Sequence, residues 1–571
     1  METRMPSWTK RILLSVALVA TLAVIACGGA QNDSPAASGN AAPADQQVLR
    51  MRINGEPKTI DPGLVNFANE VSITRQLFNG LFTYDESLKV VPQLATAVPT
   101  VDNGGLSKDG LTVSVKLRDA KWSDGKPVTA ADFVYGLQRV LDPKTAAPFA
   151  SSYYSLLGAR EYNTAMGTKD APKTASEAQL SDLRNAVGVK AQDEKTVVYT
   201  LRQSDPSFLN RLASPAAYAL RQDVIARHGD KWTEAGNLVG NGAYLLNEWA
   251  HDQRLVLTPN PTYFGDKAKL QRLVVNIIPE DAGAYAAYLS GDLDVVGVPS
   301  AVLRDVSSPA NPLNAQLRKM PDLATFAVFM NAAQAPFDNQ KVREAFSMAI
   351  DRDAFVQGVQ QGAGQMTVGW IPPGMPGYST EAGKQWAFDP AKAKKALADA
   401  GYPEGRNLPK VTYTVTSTDS NRLVGQFLQD QLKKNLNVEI ALDFVDSRTF
   451  GQRFTANQYS MATVTWIAGW PYPDNFLQEL FTSDGNNNHV AFKDAKFDDL
   501  MKRAAAEPDD KKRLAYYDEA HKLLLNAAAI APMYNRLSFV LVKPNVKDLT
   551  MTPVDGMLRG DFNLGKTYIG Q

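Results

Sequence analysis

The sequence predicts a mixed α/β protein built as at least two lobes, and three observations predict it. The chain has 571 residues, of which 44% are apolar and 21% charged, enough for several cores and too apolar for general disorder. Period-two and helical hydrophobic patterns alternate along the chain instead of segregating into blocks. Two segments read as strand–helix–strand units, which imply parallel strands covered by helices. They lie far apart in the chain, as two separate lobes require.

The elements follow in order. Thr112 to Leu117 places Val113, Val115 and Leu117 on one side and Thr112, Ser114 and Lys116 on the other, a half-buried strand. The first strand–helix–strand unit runs through residues 273–278, 281–289 and, after a Ser-Gly turn, 294–298. Val342, Ala345, Phe346, Ala349 and Ile350 follow helical spacing, which predicts one amphipathic helix over 339–354. The second unit has a strand at 411–416, a helix carrying Val424, Phe427, Leu428 and Leu432 on one face, and a strand at 438–444. Ligand sites of such open sheets lie at the carboxyl ends of the strands, often in a cleft between lobes.

Charge and motif content narrow the function. Sixty basic residues balance sixty acidic ones, so no long-range field draws a polyanion, which argues against a nucleic-acid partner. The four histidines (His228, His251, His489, His521) and one cysteine lie far apart and form no metal-ligand spacing. Walker A, Gly-x-Gly-x-x-Gly, Gly-x-Ser-x-Gly and His-Glu-x-x-His patterns are absent. Gly362-Ala363-Gly364-Gln365 lacks a third glycine and reads as a loop. His521 falls on the stripe Leu514, Tyr517, Leu524 and reads as a satisfied core histidine. Asp498-Asp499 and Asp509-Asp510 read as solvated helix faces or caps. Nothing favours a general acid–base pair, so the enzyme reading is weak, and no metal or cofactor is expected.

The N-terminus carries an address. Lys10 and Arg11 precede a 15-residue apolar run from Ile12 to Ala26, followed at once by Cys27. As a helix the run measures about 22 Å, short of a hydrocarbon core of about 30 Å. Positive flank, short apolar stretch and small residues read as a secretory signal over 1–26. Val24-Ile25-Ala26-Cys27 resembles the bacterial lipobox, which implies acylation of Cys27 and membrane attachment through lipid alone. Cleavage there leaves 57 basic and 59 acidic residues, a net charge of −2. Residues 28–45, rich in Gly, Ala, Ser, Pro, Asn and Gln, read as a flexible leash, with the folded part starting near Gln47.

The stretch from Val115 through Trp122-Ser123-Asp124-Gly125-Lys126-Pro127-Val128-Thr129 to Ala130-Ala131-Asp132-Phe133-Val134-Tyr135 reads as a strand ending at Trp122, a turn, and a helix capped by Thr129. It closely resembles the signature of extracellular solute-binding proteins of the peptide/nickel class, family 5, the receptors of dipeptide and oligopeptide ABC importers. Glu56-Pro57-Lys58-Thr59-Ile60-Asp61-Pro62, Asn241-Gly242-Ala243-Tyr244, Pro259-Asn260-Pro261-Thr262-Tyr263-Phe264 and Ala335-Pro336-Phe337-Asp338-Asn339 extend the resemblance along the chain in the order of the oligopeptide-binding branch. It implies a two-lobed, hinged class II binding-protein fold with an extra α/β domain. Lobe I would comprise 47–78, 203–303 and 516–571, the extra domain 79–202, and lobe II 304–515.

The resemblance also implies a mode of binding. The guest's backbone would pair with the strand Thr465-Trp466-Ile467, with Asn66 to Asn69, Ala68 among them, facing it from the other lobe. Trp466 and Trp470 would line the cavity, with Phe149 and Asn421 as further contacts. Two family positions are changed. Gly469 stands where free-peptide binders carry the Asp that pairs with the ligand's α-ammonium, and Thr463 stands where the oligopeptide branch has an Arg. Asp474 is the nearest acid but reads as a helix cap, and Arg453 is the nearest basic residue. A buried ammonium without a counter-charge costs several kcal/mol, so the expected guest is a peptide with blocked or absent termini, or a long one running through. Partners would be an ABC permease and ATPase, with the protein itself a monomer on the periplasmic side of a bacterial membrane. A same-fold receptor for an oligosaccharide, glycopeptide or chelate stays open, as does a hydrolase on this scaffold.

Overall fold

The computed structural model describes residues 41–167, 173–445, 447–483, 488–507 and 509–571. The apolar run, Cys27 and the leash up to residue 40 lie outside the described residues. The fold begins earlier than Gln47. Ala41 bridges Gly570, Ala42 N donates to Ile569 O at 2.8 Å, and the Gln47 side-chain amide reaches both Ala42 O and Ile569 O at 2.8 Å. The edge of the C-terminal strand Tyr568–Ile569 offers backbone partners to a segment whose side chains carry no apolar period.

One four-stranded sheet runs in the order Val48–Ile53, Arg272–Ile277, Arg254–Pro259, Tyr244–Ala250, the first pair parallel and the others antiparallel. The helix Asp281–Ser290 follows as expected, but the first strand–helix–strand unit does not close as a pair in this sheet. Its last strand, Val295–Gly297, pairs antiparallel with Ile530–Val542 instead. It touches Val48–Ile53 where Asp294 N donates to Arg50 O at 2.9 Å. The Asp294 carboxylate then accepts from Arg50 N at 2.7 Å, taking the place of the next ladder bond.

A seven-stranded sheet holds the second unit as read: Val411–Thr416 and Ile440–Val445 are parallel, joined by the helix Asp419–Leu436. Val424, Leu428 and Leu432 are buried on its inner face. Gly364–Met366, expected as loop, pairs with Tyr534–Arg536 at this sheet's margin. The stretch 339–354 forms two helices, not one. Asn339 caps Gln340–Met348, and Asp351 caps Arg352–Gly358 by accepting from Ala354 N at 2.9 Å. The break lets the buried Arg352 guanidinium take the carbonyls of Ser347, Ile350 and Pro532.

Two long strands of this sheet, Leu317–Met330 and Ile530–Val542, pair antiparallel but lose register between Pro321 and Thr325. Their two ends pack in different cores. Ile530, Ala531 and Met533 join Phe329, Trp370 and Phe346, whereas Val540 and Val542 join Leu49 and Leu273. The helix Asp510–Asn526 belongs wholly to the first of these ends, with Tyr517 and Leu524 against Trp370 and Phe497. The helix Ser300–Val306 belongs to the other, with Leu541. The chain thus crosses between cores inside the two long strands, later than residues 303 and 515. His521 is the core residue expected: it is 1% exposed, and its Nε2 accepts from Trp370 N at 3.0 Å. Burial lowers its pKa to about 4, so the ring is neutral.

A three-stranded antiparallel sheet, Val189–Asp193, Thr196–Thr200 and Thr112–Lys116, carries the signature segment. Val113 and Val115 are buried as the alternation predicts. The strand ends at Lys116, and Trp122 sits beyond it in a turn closed by Trp122 N to Lys126 O at 2.8 Å. Gly125 supplies the turn's φ of +87°. Asp132, in the first turn of the helix Ala130–Leu141, accepts from Thr129 N at 2.9 Å, Thr129 Oγ1 at 3.1 Å and Trp122 Nε1 at 3.2 Å. One carboxylate thereby fixes the helix entry and the buried indole, so the signature is architectural. Replacing it (Asp132→Ala) removes a cap and strands the Trp122 N–H. The expected loss is about 2–4 kcal/mol in a chemical denaturation series.

Candidate functional site

A cleft of about 860 Å³, within the range of small-ligand sites, separates the end of the strand Met461–Ile467 and its following loop from elements on the far side. Those elements are Val71 and Arg75 of the helix Ala68–Leu77, the turn Ala150–Tyr153 and the helix Phe208–Leu212. Met461–Ile467 pairs along its full length with Leu317–Met330. On its other edge Val411–Thr416 pairs with it at Met461. From Ala462 to Ile467 that edge has no strand partner among the described residues. Trp466 and Ile467 both border the cleft, and Ile467 is 55% exposed.

Asn475 shapes the loop beyond the strand. Its Oδ1 accepts from Trp466 Nε1 and from Gly469 N, both at 3.1 Å, which fixes the indole and turns the loop. Asp474, expected as a helix cap, does not cap. The helix Asp474–Phe481 begins after Pro473 without a side-chain cap, and the Asp474 carboxylate turns inward to accept from Trp470 Nε1 at 2.8 Å. There it stands 4.0 Å from the Arg211 guanidinium, which lies against the Trp470 ring at 4.5 Å from its centroid. Arg211 also binds both oxygens of Asp205 at 2.7 Å. Trp470 therefore spans the cleft. Burial pushes the Asp474 carboxyl up to about 6, with the Arg211 charge opposing the rise.

The structure gathers Phe149, Trp466, Ile467, Gly469 and Trp470 around this cleft. Thr465 is exposed on the same free strand edge, next to Trp466. The other expected contacts sit elsewhere: Asn421 is bonded to Thr416 O and Oγ1 at 3.0 and 2.7 Å. Asn66 borders a separate recess with Lys58, Asp61 and Trp232, its N–H held by Glu70 at 2.8 Å. Ala68 opens the adjacent helix, and its carbonyl accepts from Met557 N at 3.3 Å. Val65 and Val71 reach the cleft from that segment instead. Thr463 is buried with its hydroxyl 2.7 Å from that of Tyr413, and Arg453 is paired with Asp443 at 2.8 Å. The lining also includes Arg75, Tyr84, Tyr154, Arg160 and Gln478, which sequence reading missed because no spacing pattern links them. Among the described residues no group of His, Cys, Asp and Glu is arranged for a metal ion, and no helix is long and apolar enough to cross a membrane.

The model of bacterial extracellular solute-binding proteins, family 5, middle region, matches residues 89–488. The chain belongs to that family. The periplasmic murein peptide-binding protein MppA of Escherichia coli K12 is 32% identical over 521 residues, covering 88% of this chain and 90% of its own. The periplasmic oligopeptide-binding protein OppA of the same strain is 30% identical over 522 residues, covering 89% and 90%. The unliganded open form of the MppA murein tripeptide-binding protein superposes with a TM-score of 0.78 at 29% identity, over 94% of this chain and 99% of that one. This family 5 protein thus has the two-lobed class II binding-protein fold and is a solute-binding protein, not an enzyme.

The raised Asp474 pKa has a pH consequence. Between about pH 4 and 6 the native state of this family 5 protein holds a proton that the unfolded chain has released, so stability from this group falls as pH rises through 6. The Asp474→Asn variant lacks the effect. Melting curves from pH 7.5 down to 5 should show the wild type gaining on the variant by about 1.4 kcal/mol, one pH unit below the native pKa of about 6.

Proposed function

We propose that this protein is the lipid-anchored peptide receptor of an ABC importer. It captures peptides or peptide-like guests in the cleft on the periplasmic side and hands them to the permease. The observation that carries this reading is the strand edge from Ala462 to Ile467, which has no strand partner among the described residues and borders the cleft. An extended peptide adds to such an edge through main-chain hydrogen bonds, and pockets of loose fit accept varied side chains. The names of MppA and OppA agree with it.

In this reading lobe I, from 41–78, 203–321 and 537–571, and lobe II, from 325–535, close about the wider register break in the two long strands, with 79–202 as the extra domain. Ligand contacts to both lobes favour the closed state. Asp474 does not replace the missing amine anchor. It is 6% exposed and occupied by Trp470 and Arg211. Guests with blocked termini, or long peptides running through, fit best.

Two measurements test the reading. A Cβ placed on Gly469 meets only Asn475 Nδ2, at 3.4 Å, so Gly469→Asp fits without strain. In titration calorimetry the wild type should bind N-acetylated tri- to pentapeptides more tightly than free ones, whereas Gly469→Asp should favour the free amine by ten-fold or more. A wild type that binds the free peptide below micromolar and ignores its acetylated form would sink the blocked-terminus reading. Replacing Cys27 (Cys27→Ala) should move the expressed protein from the membrane to the soluble fraction on fractionation of cells.

A further inference from the structure

A smaller recess of about 360 Å³ opens off the cleft and shares with it Ser151, Ser152, Tyr154, Arg160, Arg211 and Gln478. It adds Arg202 and Asp205, with Asp474 at its floor. Three guanidiniums therefore face two carboxylates. Both carboxylates are engaged inside the protein: Asp205 holds Arg211 through both oxygens, and Asp474 accepts from Trp470. Arg160, on the helix Ala159–Asn163, and Arg202, just past the strand Thr196–Thr200, are exposed and form no ion pair among the described residues.

Arginines at a surface usually find a carboxylate; two left without one in a concave wall raise the local potential and select an anion. The guanidinium fork matches a carboxylate in two parallel hydrogen bonds. Hydroxyls of Ser151 and Ser152 and the Gln478 amide border the same space and can donate to further oxygens. Thr463 carries no charge and Arg453 is held by Asp443, so neither supplies this role.

We propose that the recess is a carboxylate subsite, in which Arg160 and Arg202 receive an anionic group of the guest bound in the cleft. The carboxylate belongs either to the peptide's C-terminus or to an acidic side chain near it. The proposal rests on the peptide reading above and adds the guest's charge: neutral or acidic at one end, with no requirement for a free amine.

Four pools of N-acetylated pentapeptides test it with the purified full-length protein: one with free C-termini, one amidated, one amidated and ending in Glu, and one amidated and ending in Gln. Retained peptides are quantified by mass spectrometry. The wild type should retain the free-carboxylate pool, the Glu pool or both at least ten-fold above the amidated and Gln pools, and the winning pool identifies the carboxylate's source. Arg160→Gln and Arg202→Gln, both at exposed positions, should each cut that ratio at least five-fold, and 0.5 M salt should reduce it in the wild type. Equal retention of all four pools, or a preference that survives both substitutions, would overturn the subsite and leave the peptide reading standing. Retention of no pool would overturn the peptide reading and the subsite with it.

Discussion

Everything in this molecule is arranged around two antiparallel strands that are too long for one core. Leu317–Met330 and Ile530–Val542 each begin in one apolar cluster and end in another, so their shared ladder is the covalent and hydrogen-bonded link between the cores. The ladder shifts register twice, between Pro321 and Thr325 and again between Phe326 and Ala327, and the wider break is not bare. Asp322, 5% exposed, gathers Arg536 Nε at 2.6 Å and Ser538 Oγ at 2.7 Å across it. A register break bends and twists a strand pair without unpairing its flanks. The cleft lies between the loop after Ile467 and the elements that oppose it.

Much of this was legible in the sequence, and the reasons differ by element. The strand Val411–Thr416, its helix and Ile440–Val445 could be read because each buries one face of regular period. The turn at Gly125 and the cap at Thr129 could be read because their residue types have local stereochemical reasons to be there. The partner of Val295–Gly297 could not, since pairing with Ile530–Val542 depends on chain more than two hundred residues away. The helix break at Asp351 was hidden by an apolar stripe that continues across it, while the signal lay in Arg352, whose long side chain seeks carbonyls rather than water.

The site divides in the same way. Trp466, Gly469 and Trp470 were found because they are contiguous with a strand and carried by a motif. Asp474 was placed correctly in sequence but given the wrong task. A local cap was the simplest use of an acid before a helix, and only the fold brings Arg211 and Trp470 close enough to draw it inward. Arg160 and Arg202 had no sequence signal, because a concave charge is assembled from separate elements. Asn421 lies outside the cleft lining, its side-chain amide spent on Thr416, whereas Thr465 is exposed on the free strand edge beside Trp466.

One feature at the margin of the fold reaches further than its size. Ala41 and Ala42 are zipped to Ile569 and Gly570, so the chain enters the described fold beside the place where it leaves it. A domain fused after Gln571 would therefore emerge next to Ala41. Joining the two ends directly, and opening the chain in a surface loop, would yield a circularly rearranged molecule with the same cores. The position of the chain ends is therefore a separable property, one that can be moved about the surface while the cleft stays as it is.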